Sequence, residues 1–248
     1  MGKEKTMYRI IQAIFVAFFC TTAALAQAEG FSTKNATVTE ERIEPPKSAL
    51  AKGNWEYLET KKGIKLYRKE VGNKGLFAVR GEAIVDESVE KIASVLYDES
   101  RWTEWTQIAS GRLLKLRSDN RKVVYQAFDL PFILSDRDVV YTFGVWKLPD
   151  GTTYISGKTE AADENVGPDT IGVRAKLIAG DWYMKPLSPK KTRVVLEVLM
   201  DPRGSLPVWF VNIVQRDYPV RALGGLQRQA AKSDIKPFLP RQLTKLTR

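Results

Sequence analysis

From about residue 55 the chain alternates apolar and polar positions with the period of half-buried strands. Trp55 to Thr60 and Ile64 to Val71, parted by Lys61-Lys62-Gly63, read as a hairpin. Phe77 to Val85 is a third strand, with Phe77, Val79, Gly81 and Ala83 on one face. The period then changes: Asp86-Glu87-Ser88 precedes Val89, Ile92, Ala93, Leu96 and Tyr97, an amphipathic helix with a capping residue and early carboxylates. Trp102 and Trp105 follow, three apart and able to share a face. Strand patterns return over Leu113 to Leu116, Lys122 to Asp129, Asp138 to Leu148, Thr152 to Glu160, Ile171 to Lys185 and Lys191 to Met200. Short turn signals such as Pro149-Asp150-Gly151 and Ser188-Pro189-Lys190 separate them, which favours antiparallel neighbours. The last element is a long helix, Val208 to about Ala231, with Ser205 expected as N-cap and Pro207 in the first turn. Leu206, Trp209, Ile213, Val220, Leu223 and Ala230 share one stripe, but Leu206 to Val214 is apolar nearly all round. Such a helix must be covered on more than one face. The order predicts one α+β domain whose antiparallel sheet bends around the final helix.

Composition narrows what this domain does. Of 248 residues 44% are apolar and 27% charged, which suits a globular chain able to bury a core. Residues 1–26 carry Lys3, Lys5 and Arg9, an apolar run from Ile10 to Phe19 and small residues at Ala24-Leu25-Ala26, the pattern of a secretory signal peptide. The apolar run is short for a membrane span. Export, to the periplasm or outside the cell, is therefore expected. Residues 27–50 are polar with Pro45-Pro46 and read as a flexible leader, 51–233 as the domain and 234–248 as a basic tail. Cys20 is the only cysteine and there is no histidine. Disulfides, cysteine nucleophiles, Ser–His–Asp hydrolysis and most zinc and haem sites are thereby excluded from the mature chain. No metal, cofactor or catalytic residue is expected. The net charge of +10 becomes +8 without the signal segment, where Lys3, Lys5 and Arg9 outnumber Glu4. That excess suits contact with anionic head groups or acidic polymers, and equally a surface that keeps the protein soluble. No nucleic-acid reading motif is present.

Several segments in this order resemble the START domains, the lipid-transfer domains related to steroidogenic acute regulatory protein. They are Gly63-Ile64-Lys65-Leu66-Tyr67-Arg68, Trp102 with Trp105, and Pro131 through Ser135-Asp136-Arg137-Asp138. Val173-Arg174-Ala175, Gly180-Asp181-Trp182 with Pro186, and Asp201-Pro202-Arg203-Gly204-Ser205-Leu206-Pro207 complete the set. Each is weak alone; their order and spacing across Trp55 to Ala231 are not. The signal peptide makes the chain similar to exported bacterial members. The resemblance implies a helix-grip fold, in which a curved sheet wraps the C-terminal helix and leaves a tunnel for one lipid.

On that expectation the protein is a non-catalytic lipid-binding or lipid-transfer protein, gated by the C-terminal helix and its neighbouring loops. It would be a monomer that meets a membrane surface transiently. The alternative is a helix-grip enzyme of the polyketide cyclase or aromatase kind. Candidate lipid contacts are the polar-tipped strand residues Tyr125, Tyr141 and Trp182, the charged Arg174, and Trp209, Phe210 and Ile213 on the helix. Arg174 has a second reading, as an ion pair with Asp138. Pro219 interrupts the helix hydrogen bonding and marks a bending point for a lid. Leu130-Pro131-Phe132-Ile133-Leu134 either touches a membrane or tucks beneath the helix. Cholesterol-binding relatives resemble one another in a carboxylate–guanidinium pair inside the tunnel. Val123-Val124-Tyr125-Gln126 and the strand after Asp138 lack both groups, so a phospholipid, fatty acid or hopanoid-type lipid fits the sequence better than a sterol.

Overall fold

The computed structural model describes residues 44–72, 76–118, 120–130, 134–163 and 165–238. The expected signal peptide, most of the leader, Pro131 to Ile133 and the end of the basic tail lie outside the described residues. So do the side chains of 208–210 and 212–215.

Three strands open the fold: β1 (Glu56–Lys61), β2 (Ile64–Glu70) and β3 (Phe77–Val85). Helix α1 (Val89–Tyr97) and a 3₁₀ turn (Glu99–Glu104) lead to β4 (Ser110–Ser118), β5 (Arg121–Phe128), β6 (Arg137–Lys147) and β7 (Thr153–Lys158). The two-residue β8 (Val173–Arg174), the long β9 (Lys176–Ser188) and β10 (Lys191–Asp201) precede helix α2 (Val208–Ala230). The sheet runs β1-β2-β3-β10-β9-β7-β6-β5-β4, with β8 alongside β6. Its neighbours are antiparallel except β6 and β8. The β9–β10 hairpin sits between two meanders, and α1 carries the chain from β3 to the far edge at β4. This is a helix-grip α+β fold, a curved antiparallel sheet around the C-terminal helix.

The sheet is covered on both faces. On the inner face Val124, Tyr141, Phe143, Ile155, Trp182, Leu196 and Val79 join α1, Trp102, Trp105 and the α2 residues Val220, Leu223 and Leu226 in one apolar core. Outside, Leu50 packs with Ala78, Ala179 and Leu199. Ser48 donates to Asp181 Oδ2 at 2.5 Å, and the Lys69 ammonium bonds the Leu50 and Lys52 carbonyls. The expected leader therefore ends earlier than residue 50: a buried Leu50 and two buried polar anchors seat its last residues on the sheet.

Ser88 caps α1 as expected, accepting from Lys91 N. Ser205 does not cap α2. Pro207 occupies the N-cap with no side-chain hydrogen bond, and its carbonyl takes the first helical bond, from Val211 N at 3.2 Å. A residue preceding proline is driven out of the α region, so Leu206 cannot be helical and the start moves past Ser205. Nor is Ile171 to Lys185 one strand. Asp138, with 0% exposure, draws Arg174 Nε to 2.6 Å and accepts from Thr170 Oγ1, Ile171 N and Tyr125 OH. That carboxylate pulls β8 parallel to β6 and breaks the run at Ala175.

Two strains on this frame are measurable. A Cβ at Gly81 would lie 2.6 Å from Pro219 Cβ and 2.7 Å from Leu223 Cδ1. Gly81→Ala is expected to cost about 1–3 kcal/mol, read as a lower urea midpoint. An unchanged midpoint would mean that α2 does not bear on β3. Arg174→Leu leaves Asp138 charged and buried and is expected to cost about 3 kcal/mol. A loss under 1 kcal/mol would count against the pair as a structural one.

Candidate functional site

Strand register sets the inner wall. Val145, Ile155, Trp182, Leu196 and Gly81 line up across β6, β7, β9, β10 and β3. One step along, Phe143, Gly157, Gly180, Val198 and Val79 form a second row on the same face. Two facing glycines leave a bare patch of backbone in that row. The Tyr141 ring and the Leu177 side chain lie over it: a Cβ at Gly157 would come within 3.0 Å of the ring. A bulge between Leu199 and Met200 shifts the β9 alternation, which brings Leu177 to this face.

Among the described residues the α2 backbone lies closest to β3, α1 and β2. Gly81 permits the approach at Pro219 and Leu223, and Gly225 the approach to Trp105, whose carbonyl oxygen a Cβ would meet at 2.1 Å. Arg216 and Asp217 tie α2 to β1 through Glu59 at 2.9 Å and Lys61 at 3.3 Å. The flank turned from β3 carries Tyr218, Ala222 and Gly225, one residue each at positions i, i+4 and i+7.

Tyr141 lies in the inner core and Tyr218, half-buried, packs against that core. Tyr141 is 6% exposed and burial pushes its phenol well above the ordinary range, helped by Tyr218 and Glu99. Tyr218 keeps part of its accessible surface, yet burial raises its phenol to about 12. Both remain protonated donors at any neutral pH.

The sequence-derived candidates separate. Tyr141 and Trp182 share the inner core. Tyr125 does not: β5 pairs Val124 with Tyr141 and Tyr125 with Val140, so Tyr125 lies on the outer face with Val123, Ala127 and Val140. Its hydroxyl reaches Asp138 at 3.3 Å and the Arg112 guanidinium sits over its ring. Arg174 lies on that outer side as well, holding Asp138 and the Pro168 carbonyl. The helix places Trp209, Phe210 and Ile213 in its first two turns, and their side chains lie outside the described residues. Sequence reasoning missed Tyr218, although the small residues at the next two helical positions on its flank were a usable signal.

At the floor of the inner face, Lys122 is buried with its ammonium over the Tyr97 ring at 3.8 Å, paired with Glu99 and the Tyr97 carbonyl. Burial lowers its pKa and Glu99 opposes that shift. Behind it a cleft of ≈ 440 Å³ opens between the end of α1, the 3₁₀ turn and residues 234–238. Tyr125, Tyr141, Arg174 and Trp182 do not line this cleft. Its outer wall is the start of the basic tail, where Ser94 exchanges hydrogen bonds with the Phe238 backbone and Ile235 is buried. Among the described residues no three acidic side chains gather as a metal site.

Comparison with known proteins agrees with this architecture. The START domain model matches residues 37–220. An uncharacterized protein of Pseudomonas aeruginosa is 28% identical over 186 residues, 75% of this chain and 90% of that one. Phosphatidylcholine transfer protein of Rattus norvegicus is 27% identical, over 67% of this chain and 78% of its own length. The crystal structure of a STAR-related lipid transfer protein fragment from Xanthomonas axonopodis superposes with a TM-score of 0.64 at 26% identity, covering 72% of this chain and 99% of that one. With the family model spanning most of its length, and the fold shared, the chain belongs to the START domain family.

Proposed function

We propose that this protein is a non-catalytic carrier that holds one acyl lipid between the inner face of the sheet and α2. The observation that carries the reading is the lopsided seating of the helix. It presses on β3 through Gly81, while the apolar inner face runs on across β10, β9, β7, β6 and β5 with Leu196, Trp182, Ile155, Tyr141 and Val124. Apolar walls with a few polar groups are the ordinary makeup of a site for such a ligand. Its work is to carry an apolar molecule through water, which burial alone accomplishes. Similarity to phosphatidylcholine transfer protein favours a phospholipid over a sterol. The N-terminal basic, apolar and small-residue pattern supports action outside the cytoplasm, and the +8 charge of the remaining chain supports transient contact with an anionic membrane as a monomer.

Entry needs α2 to yield, and Pro219 supports the helix as the moving part, since it removes a backbone bond beside the close contact at Gly81. The ion pairs from Arg216 and Asp217 to β1 would hold the same segment shut.

Native mass spectrometry of the protein from its own source tests the proposal: one stoichiometric lipid per chain is expected. Protein that carries no lipid and moves none between phosphatidylcholine vesicles would end it. Pro219→Ala is expected to slow exchange several-fold at unchanged binding, measured by transfer of a fluorescent phospholipid; equal rates would remove the helix as gate. The phenols add a pH signature. An unfolded tyrosine ionises near 10, whereas Tyr218 requires about 12 and Tyr141 lies well above its ordinary value. Their contribution to stability is complete below about pH 10 and is lost as pH rises towards 12, because the unfolded chain releases protons that the folded one retains. The urea midpoint should therefore fall over that window, and fall less in Tyr218→Phe. Equal falls in both proteins would mean that the phenol is not buried.

A further inference from the structure

The outer face of the sheet is covered over only part of its extent. Leu50 packs on Ala78, Ala179 and Leu199, and the Arg80 guanidinium lies over the Trp55 ring at 4.4 Å. Further along β3 that cover ends, and Ile84 is 44% exposed. Cross-strand register sets Ile84 in line with Arg193 on β10 and Lys185 on β9, both exposed. From there β9 and β10 run on into their hairpin turn. A bulge pairs Pro186 with Thr192 and Ser188 with Lys191, so Leu187 between them has no cross-strand partner and is 52% exposed.

Cations surround these two apolar side chains. Lys62 lies in the turn before β2 and Lys65 stands opposite Glu82, while Lys185, Lys190, Lys191 and Arg193 frame the hairpin end. All six are exposed. Against them stand three carboxylates: Glu82 with Arg193 at 2.8 Å, Asp150 with Lys185 at 3.4 Å and Asp86 with Lys191 at 3.7 Å. Six cations against three carboxylates leave an excess of three positive charges. Two pairs close by, Lys61 with Asp217 and Lys91 with Glu87, are neutral. Exposed pairs hold their partners weakly, so these cations stay available to a stronger anionic field. Cations draw such a surface to anionic head groups, and its apolar side chains then reach the acyl boundary beneath. A second copy of the chain is a poor occupant, because two such surfaces bring like charges together. A soluble polyanion would satisfy the cations and leave Ile84 and Leu187 in water.

We propose that this end of the outer face is where the protein docks on an anionic lipid bilayer, with Leu187 and Ile84 entering the head-group layer. The inference rests on the membrane contact of the carrier reading and gives that contact a place. Gln227 of α2 donates to the Ile84 carbonyl at 3.0 Å, so the docked surface adjoins the helix that the carrier reading sets in motion.

The test measures sedimentation of the full chain, as its own source processes it, with vesicles of phosphatidylcholine alone or mixed with phosphatidylglycerol. Binding is expected on the mixed vesicles and falls as salt is raised. Lys190→Gln removes one cation and is expected to weaken binding about fivefold, with a shallower salt dependence. Leu187→Ser is expected to weaken it by about five- to tenfold with the salt dependence unchanged. Lys158→Gln makes the same charge change at an exposed position on the far end of β7 and is expected to bind as the wild type does. Equal binding of the wild type to both vesicle types overturns the inference. So does a loss in Lys158→Gln as large as that in Lys190→Gln, or undiminished binding by both Lys190→Gln and Leu187→Ser. A loss in Lys190→Gln with none in Leu187→Ser makes the partner a polyanion and overturns the lipid surface. Should Leu187→Ser lower the urea midpoint, Lys190→Gln and Lys158→Gln decide alone. Native mass spectrometry of the same samples reports the carrier reading separately: vesicle binding by a chain that holds no lipid ends that reading and leaves the docking surface standing.

Discussion

One close contact organises the molecule: α2 lies against β3 where Gly81 has no side chain. Ordinary helix-on-sheet packing interposes two layers of side chains. Here Pro219 and Leu223 press almost onto the strand backbone, and Gly225 lets the same helix reach the Trp105 carbonyl. Through these two points the helix bears on β3 and on the residue that ends the 3₁₀ turn. A curved sheet gripping a helix off-centre must either fill the remaining volume with large side chains or leave it to an occupant. At the facing glycines Gly157 and Gly180 the chain fills the space itself, with the Tyr141 ring and the Leu177 side chain.

The outer face carries the polar work that the inner face avoids. Asp138, Asp163 and Asp181 are fully or almost fully buried, and each accepts several hydrogen bonds from neighbouring elements. Asp163 takes Thr142, Arg117 and the Glu160 amide. Asp181 takes Ser48, Tyr154 and Ser156. Each carboxylate gathers strands and loops whose geometry it holds, and breaking one member leaves a charge in a dry site. By keeping these networks outside, the fold gives the inner wall its apolar character, broken by phenols and the neutralised Lys122. The same separation explains why Arg174 and Tyr125, chemically plausible ligand contacts, serve Asp138 instead.

Much of this was legible in the chain. Period-two alternation located β2, β3 and β6 to within about a residue, and the Ser88 cap placed α1 correctly. The family motifs by themselves point to the helix-grip fold. Less legible were features that depend on partners distant in sequence. The break at Ala175 answers to Asp138 on another strand. Leu50 and Ser48 look like leader residues until β3, β9 and β10 supply the surface that buries them. Tyr125 and Tyr141 have equal claims by composition, and only the register against β6 puts them on opposite faces.

The order of elements, the antiparallel sheet, the long closing helix and the exclusion of cysteine and histidine chemistry were settled by sequence alone, because these depend on local periodicity and on which residue types exist. Which tyrosines face inward, which cations are spent on buried carboxylates and how far the helix leans were decided by tertiary structure. These are relations between residues up to 157 positions apart, as in the Arg216 contact with Glu59, and only the folded chain brings their side chains within reach.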